Sequence, residues 1–300
     1  MFTGTYTAIV TPFKNGKIDY DALERIVRMQ IKAGVDGIVP VGTTGESPTV
    51  NYEEHIQIIE SVVKIAAGRV KVVAGTGGNS TTEAVYLTEE AERAGADGSL
   101  QVAPYYNKPT QEGMYQHFRE VASRTRLPLM LYSIPGRCGV EIGIDTVKRL
   151  AADCKNVVAI KEAGGNADRV SQLREALGPK FVILSGDDAL TLPFMALGAQ
   201  GVVSVASNII PRQVSRMVKA FAAGDIKTAQ QLHRKYYGVF KDLFIETNPA
   251  PVKAAMAMMG LVENEFRLPM VPITSKSEQV LRNTLVKCGV LPEAKSEPQA

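Results

Sequence analysis

The chain of 300 residues has no tryptophan, three cysteines and three histidines, and its 34 basic and 31 acidic side chains leave a formal charge of only +3. Each scarcity excludes something. Cys138, Cys154 and Cys288 are odd in number and lack CxxC spacing, so neither a disulfide framework nor a zinc site is expected, and no metal is required. His55, His117 and His233 fall in separate helical segments away from strand ends; they offer no histidine base and are expected on helix surfaces. Basic residues are spread evenly, giving no stripe for a phosphate backbone, so nucleic acid is not an expected partner. No stretch approaches the roughly 18 apolar residues of a membrane span. Met1–Thr11 lacks the basic and apolar segments of a signal peptide, and a cytoplasmic protein is expected.

What is present is alternation. Apolar, β-branched runs occur at Thr5–Phe13, Gly37–Gly42, Val70–Gly75, Gly98–Ala103, Pro128–Ile134, Val157–Ala163, Phe181–Ser185 and Gly201–Val205. They are nearly continuous, as parallel strands covered on both faces require. Between them lie amphipathic segments with helix punctuation. Leu23, Ile26, Val27 and Ile31 form one stripe that stops at Gly34, and Asn51 with Glu54 and Ser80 with Glu83 have capping-box spacing. Eight β-α units predict an α/β chain forming a TIM (β/α)8 barrel over residues 1–224, with an open doubly wound sheet as the competing arrangement. Asp225–Phe244, Asn248–Met259 and Ser275–Gly289 read as a C-terminal helical appendage over 225–300, and the polar end, Pro292–Ala300, is expected to fray.

A barrel carries its chemistry at the C-terminal ends of its strands. There, Lys161 follows Val157-Val158-Ala159-Ile160, so a cationic side chain sits inside a run committed to burial. Burial lowers a lysine pKa and leaves a nucleophilic amine suited to a Schiff base with a carbonyl substrate. The alternative is a lysine paired structurally with Glu162 or another carboxylate; strand alternation, which turns Glu162 to the opposite face, weakens it. Tyr132, at similar depth on the neighbouring strand, is either a proton-transfer group or a packing aromatic. Thr43 and Thr44, in Gly42-Thr43-Thr44-Gly45-Glu46, offer hydroxyls and backbone N–H groups to a carboxylate, or simply make a turn. Arg137, in a loop after Pro135 and Gly136, suits a second carboxylate or is a surface arginine. Gly75-Thr76-Gly77-Gly78 lacks the phosphate-loop lysine and reads as a tight turn. Gly186-Asp187-Asp188 and Ala206-Ser207-Asn208 are too acidic or too poor in glycine for phosphate, which disfavours a phosphorylated substrate.

Through Gly42-Thr43-Thr44-Gly45-Glu46, Pro104-Tyr105-Tyr106, Tyr132 with Arg137, Ile160-Lys161-Glu162, Leu184-Ser185-Gly186-Asp187-Asp188, Gly201–Asn208 and Glu246-Thr247-Asn248-Pro249, the chain resembles the dihydrodipicolinate synthase family of pyruvate-dependent class I aldolases. The resemblance runs from about Gly4 to Leu291. It implies condensation of pyruvate with L-aspartate 4-semialdehyde in lysine and diaminopimelate synthesis, without a cofactor. Lys161 would form the imine, Thr44 would hold the pyruvate carboxylate, and Arg137 would bind that of the semialdehyde. Gly186 and Val203 would join the substrate-binding set. Tyr132, Thr43 and Tyr106 would relay protons, with Tyr106 contributed by a neighbouring subunit of a homotetramer built as a dimer of dimers. Ser47, Pro48, Tyr52, His55, Asn79, Glu83 and Tyr105 match a lysine-sensing set, with Tyr52 where the family commonly has histidine. Ser133 and Cys138-Gly139 stand where the family commonly has Asn and Thr-Gly, which bears on the loop that positions Arg137. The alternative is a sister aldolase acting on a 2-keto sugar acid, such as N-acetylneuraminate lyase.

Overall fold

A computed structural model of the chain describes residues 2–293. The elements follow in order as β1 (Gly4–Ala8), a hairpin of β2 (Phe13–Lys14) and β3 (Lys17–Ile18), α1 (Tyr20–Ala33), β4 (Gly37–Val39), α2 (Tyr52–Ala66), β5 (Lys71–Gly75), α3 (Thr81–Arg93), β6 (Gly98–Val102), α4 (Gln111–Ser123), β7 (Leu129–Ser133), the single turn α5 (Pro135–Cys138) and α6 (Ile144–Asp153). Then come β8 (Val157–Glu162), α7 (Ala167–Leu177), β9 (Val182–Ser185), α8 (Thr191–Ala196), β10 (Gly201–Ser204), α9 (Pro211–Ala222), α10 (Ile226–Asp242), α11 (Ala250–Met258) and α12 (Ser275–Lys287). Strand β1 pairs in parallel with both β4 and β10, and the sheet closes into a barrel, which excludes the open doubly wound arrangement.

Period-two alternation sorts the strand residues. Tyr6, Val39, Met130, Tyr132, Leu184 and Val203 share one buried cluster inside the barrel. Ile38, Val72, Leu131, Ile160, Ile183 and Val202 belong to the larger cluster between strands and helices. Both faces being buried, the strands read as unbroken apolar runs. Helix punctuation follows the sequence: Gly34 sits left-handed at φ 77° and donates back to Gln30 and Ile31, and Asn51 with Glu54 completes a capping box. The Ser80 cap is only half of one, because its hydroxyl accepts from the Glu83 N–H without the reciprocal bond.

Two strand runs are shorter than expected. The first ends at Ala8, with Phe13 in the separate hairpin, and the second ends at Val39. Ile9, Val10 and Val41 are buried without extending the strands, so their apolarity reports burial and not pairing. The histidines also depart from expectation. His55 and His117 are 5% and 6% exposed, each bridging elements: His55 Nε2 lies 2.8 Å from the Gly75 carbonyl and His117 Nδ1 lies 2.9 Å from Thr81 Oγ1. His233 is half-buried between the rings of Tyr237 and Phe240.

The C-terminal helices pack back onto the barrel, α10 against α9 and α12 against both α10 and α11. Among the described residues, no helix is long and apolar enough to cross a membrane. The expected fraying concerns Pro292–Ala300, of which 294–300 lie outside the described residues.

Candidate active site

Strand β8 turns Ala159 and Lys161 into the barrel and Ile160 and Glu162 toward the helices. Lys161 is 6% exposed, and its Nζ lies 3.9 Å from the centroid of the Tyr132 ring, the two residues being register partners on β7 and β8. Burial, reinforced by the positive charge of Arg137 and opposed by Asp188, lowers the amine to about 7. Burial also raises the Tyr132 phenol to about 12, against the opposite pull of Arg137 and Thr43. Near neutral pH the site therefore holds a partly neutral amine beside a protonated phenol, a nucleophile with a proton donor at hand.

Gly186 gives Lys161 its room: a Cβ there would lie 3.0 Å from Lys161 Cε and 2.6 Å from Ala163 Cβ. Val203, wholly buried, shares the inner cluster with Tyr132. Asp188 is 1% exposed and accepts from the Ser204 hydroxyl and the N–H groups of Val205 and Ala206. Those donors, which a phosphate after the last strands would need, are already taken, in keeping with the expectation against a phosphorylated substrate.

The loop after β4 supplies the threonines. Thr43 and Tyr132 line the same small cavity of about 30 Å³. Thr44, 3% exposed, accepts from Asn248 Nδ2 at 3.1 Å, and the Asn248 carbonyl accepts from Arg137 at 3.2 Å. Arg137 sits on the single turn α5 and not in an irregular loop, because Ile134 and Pro135 carbonyls accept helical bonds from Cys138 and Gly139. Beneath the threonine loop, Glu46 pairs with Lys253 of α11 at 2.7 Å, both side chains fully buried. Sequence reasoning gave no role to Asn248, Lys253 or Asp188. The first two come from the C-terminal helical region, and only their presence in matched segments or among buried polar residues could have flagged them.

Tyr106 stays apart from this group within one chain: it is 89% exposed, on a left-handed backbone at φ 71° after β6. The other predicted set gathers elsewhere. Ser47, Pro48, Tyr52, His55, Glu83 and Tyr105 line a cavity of about 430 Å³, in which Glu83 raises the pKa of the Tyr52 phenol. Asn79 does not line it; its amide donates to the Tyr105 carbonyl at 3.1 Å and orients that residue. Since a carbonyl only accepts, His55 spends its Nε2 proton on Gly75, and burial holds its pKa near 4. Ser47 and Gly77 line both this cavity and the small one at Tyr132.

The family profile described as the Dihydrodipicolinate synthetase family matches residues 1–288. A 4-hydroxy-tetrahydrodipicolinate synthase from Aquifex aeolicus is 52% identical, covering 96% of this chain and 98% of its own. The solved 4-hydroxy-tetrahydrodipicolinate synthase of Methylacidiphilum fumariolicum SolV superposes with a TM-score of 0.95 at 57% identity, covering 96% of both chains. A relative from Cyanidioschyzon merolae, solved with lysine bound, reaches a TM-score of 0.94 at 43% identity, covering 97% of this chain and 99% of its own. These names favour a synthase over a sugar-acid aldolase. With a match spanning nearly every residue and relatives about half identical throughout, the chain belongs to the dihydrodipicolinate synthetase family of enzymes.

Proposed function

We propose that the chain condenses pyruvate with L-aspartate 4-semialdehyde through an imine on Lys161, in lysine and diaminopimelate synthesis. The observation that carries this reading is the buried amine, lowered to about 7 and seated over the Tyr132 ring. The neutral amine attacks the pyruvate carbonyl carbon, and the carbinolamine oxygen leaves as water with protons passed through Tyr132 and Thr43. A methyl proton of the imine passes to the same relay, giving an enamine whose carbon attacks the semialdehyde aldehyde; the new alkoxide takes a proton from the relay, and attack of the semialdehyde's own amine on the imine carbon closes the ring and frees the Lys161 amine. Thr44 and nearby backbone amides receive the pyruvate carboxylate. Arg137 receives that of the semialdehyde, a need that a polyhydroxylated sugar acid does not share. Gly186 and Val203 shape the wall around the imine.

The exposed Tyr106 fits a role in a second copy, where it completes the proton relay of a neighbouring site; two such dimers would form the proposed homotetramer. The cavity at Ser47, His55, Glu83 and Tyr105 suits a free amino acid, with Glu83 for the ammonium, and its role in this scheme is feedback by L-lysine. A cytoplasmic setting agrees with three free cysteines.

Trapping with borohydride in the presence of pyruvate tests the central claim. Mass spectrometry is expected to find one reduced three-carbon unit on Lys161; an unmodified Lys161 at saturating pyruvate, or the label on another lysine, overturns it. A coupled assay with the semialdehyde beside N-acetylneuraminate separates the synthase from its sister aldolase. Titrating L-lysine into that assay tests the cavity, and unchanged rates with no binding heat would leave it structural.

A further inference from the structure

Glu162 follows Lys161, and alternation turns it out of the barrel into a wholly buried position, where an unpaired carboxylate could not remain charged. Arg169 of α7, itself 5% exposed, meets it: Nε donates to Glu162 Oε2 at 2.7 Å, a second nitrogen lies 3.1 Å from Glu141 Oε2, and a third donates to the Ile142 carbonyl. The other Glu162 oxygen accepts from the Gly164 N–H at 2.8 Å. Glu141 and Ile142 belong to the strip joining α5 to α6. Other anchors hold that strip as well, but none of them reaches the strand that carries Lys161. Ile142 N–H reaches Ser133 Oγ at a long 3.4 Å, and Gln111 holds the Glu141 carbonyl and the Gly143 N–H at 2.8 Å each.

Turn α5 has four residues and no side-chain N-cap, too little helix to hold its own position. Besides the buried Cys138 and the bond from Arg137 to the Asn248 carbonyl, its placement therefore draws on the segments at its two ends. At Gly164 those segments converge: a Cβ there would lie 2.7 Å from Glu162 Oε1, 3.4 Å from Glu141 Oε1 and 3.6 Å from Pro135 Cγ. A buried ion pair is a poor source of stability compared with apolar residues of similar size. What a guanidinium adds is geometry, because its planar fork fixes several acceptors at set angles.

We propose that Arg169 is a positioning residue: the Glu162–Arg169–Glu141 clamp on the outer face of the barrel sets α5, and with it Arg137, against the strand that carries Lys161. This rests on the reading of Arg137 as the receptor of the second substrate's carboxylate. The strand that presents the nucleophile and the turn that presents the second-substrate site are then tied by one side chain that touches neither substrate.

The test uses Arg169→Lys and the gentler Glu141→Gln, whose site is half-exposed and leaves the buried pair intact, each also combined with Arg137→Ala. The readouts are the rate of the borohydride-trapped pyruvate adduct, kcat, and KM for each substrate. Arg169→Lys is expected to raise the semialdehyde KM about ten-fold and Glu141→Gln a few-fold, with adduct formation within about two-fold of wild type. Both effects are expected to vanish in the Arg137→Ala background, since a residue acting through Arg137 is not additive with it. Additive effects, an unchanged semialdehyde KM in both folded variants, or equal loss of adduct formation would overturn the proposal. If Arg137→Ala alone leaves the semialdehyde KM unchanged, it is the reading of Arg137 that fails. A crystal structure of Arg169→Lys, or of Glu141→Gln if the first does not fold, then decides the clamp: a displaced α5 supports it and an unmoved one removes it.

Discussion

At the scale of the residue, Lys161 carries a cost as well as a nucleophile. Its folded pKa of about 7 lies below the ordinary 10.5, so between these values the unfolded chain holds more protons than the folded one. Stability is therefore lost as pH falls from 10.5 to 7, and stays lost below that. Lys161→Met removes the penalty and is expected to raise stability most at and below pH 7, by up to roughly 5 kcal/mol, because each tenfold weakening of proton binding on folding costs about 1.36 kcal/mol; the gain is nearly gone at pH 10.5. Calorimetry at the two pH values checks this; equal gains at both would mean that the amine stays charged in the fold. In the wild type, the rate of adduct formation should rise through about pH 7 as the amine deprotonates. Lys161 and Tyr132 were legible in the sequence because a polar residue inside an apolar run is a local contradiction. Asn248 was not, because its partner Thr44 lies 204 residues away.

Among the elements, the loop after β4 depends on a helix from the far end of the chain. Lys253 donates to Glu46 and to the Glu265 carbonyl at 2.6 Å and lies over the rings of Phe13 and Phe266, while burial lowers its pKa. Removing one partner of a fully buried pair strands the other charge, so Lys253→Met is expected to cost about 3–5 kcal/mol, with pyruvate KM rising as Thr44 loosens. Urea unfolding measures the cost. Adding Glu46→Gln should restore much of it; a double variant no better than the single would show that the pair is not the unit. Eight strands and the main helices were readable because each buries a periodic face, and Gly34 and Asn51 marked their ends. The overlong runs at Ile9–Val10 and Val41 were misread for a related reason: apolarity signals burial, and residues that leave the ladder can be buried under other elements.

Across the whole molecule, one chain gathers Lys161, Tyr132, Thr44 and Arg137, the groups proposed for the chemistry, but leaves Tyr106 in solvent. If a second copy supplies that residue, mixing Tyr106→Phe with Lys161→Ala subunits should restore activity when dimers re-form, because each mixed dimer contains one site with both groups intact. No recovery after verified subunit exchange would mean that each site is built within its own chain. What the sequence by itself determined was the repeat of strand and helix, and the two polar residues, Lys161 and Tyr132, that the strands turn inward, since both are written in local periodicity of two and 3.6. The convergence of Asn248 on Thr44 and of Lys253 on Glu46 was decided only by closure of the barrel, and that of Asp188 on the N–H groups of Val205 and Ala206 and of Arg169 on Glu141 and Ile142 by the packing of neighbouring units. That closure joins β1 to β10 and lays the C-terminal helices over the loops, and such contacts depend on which buried polar groups meet once water is excluded, a fact no local pattern encodes.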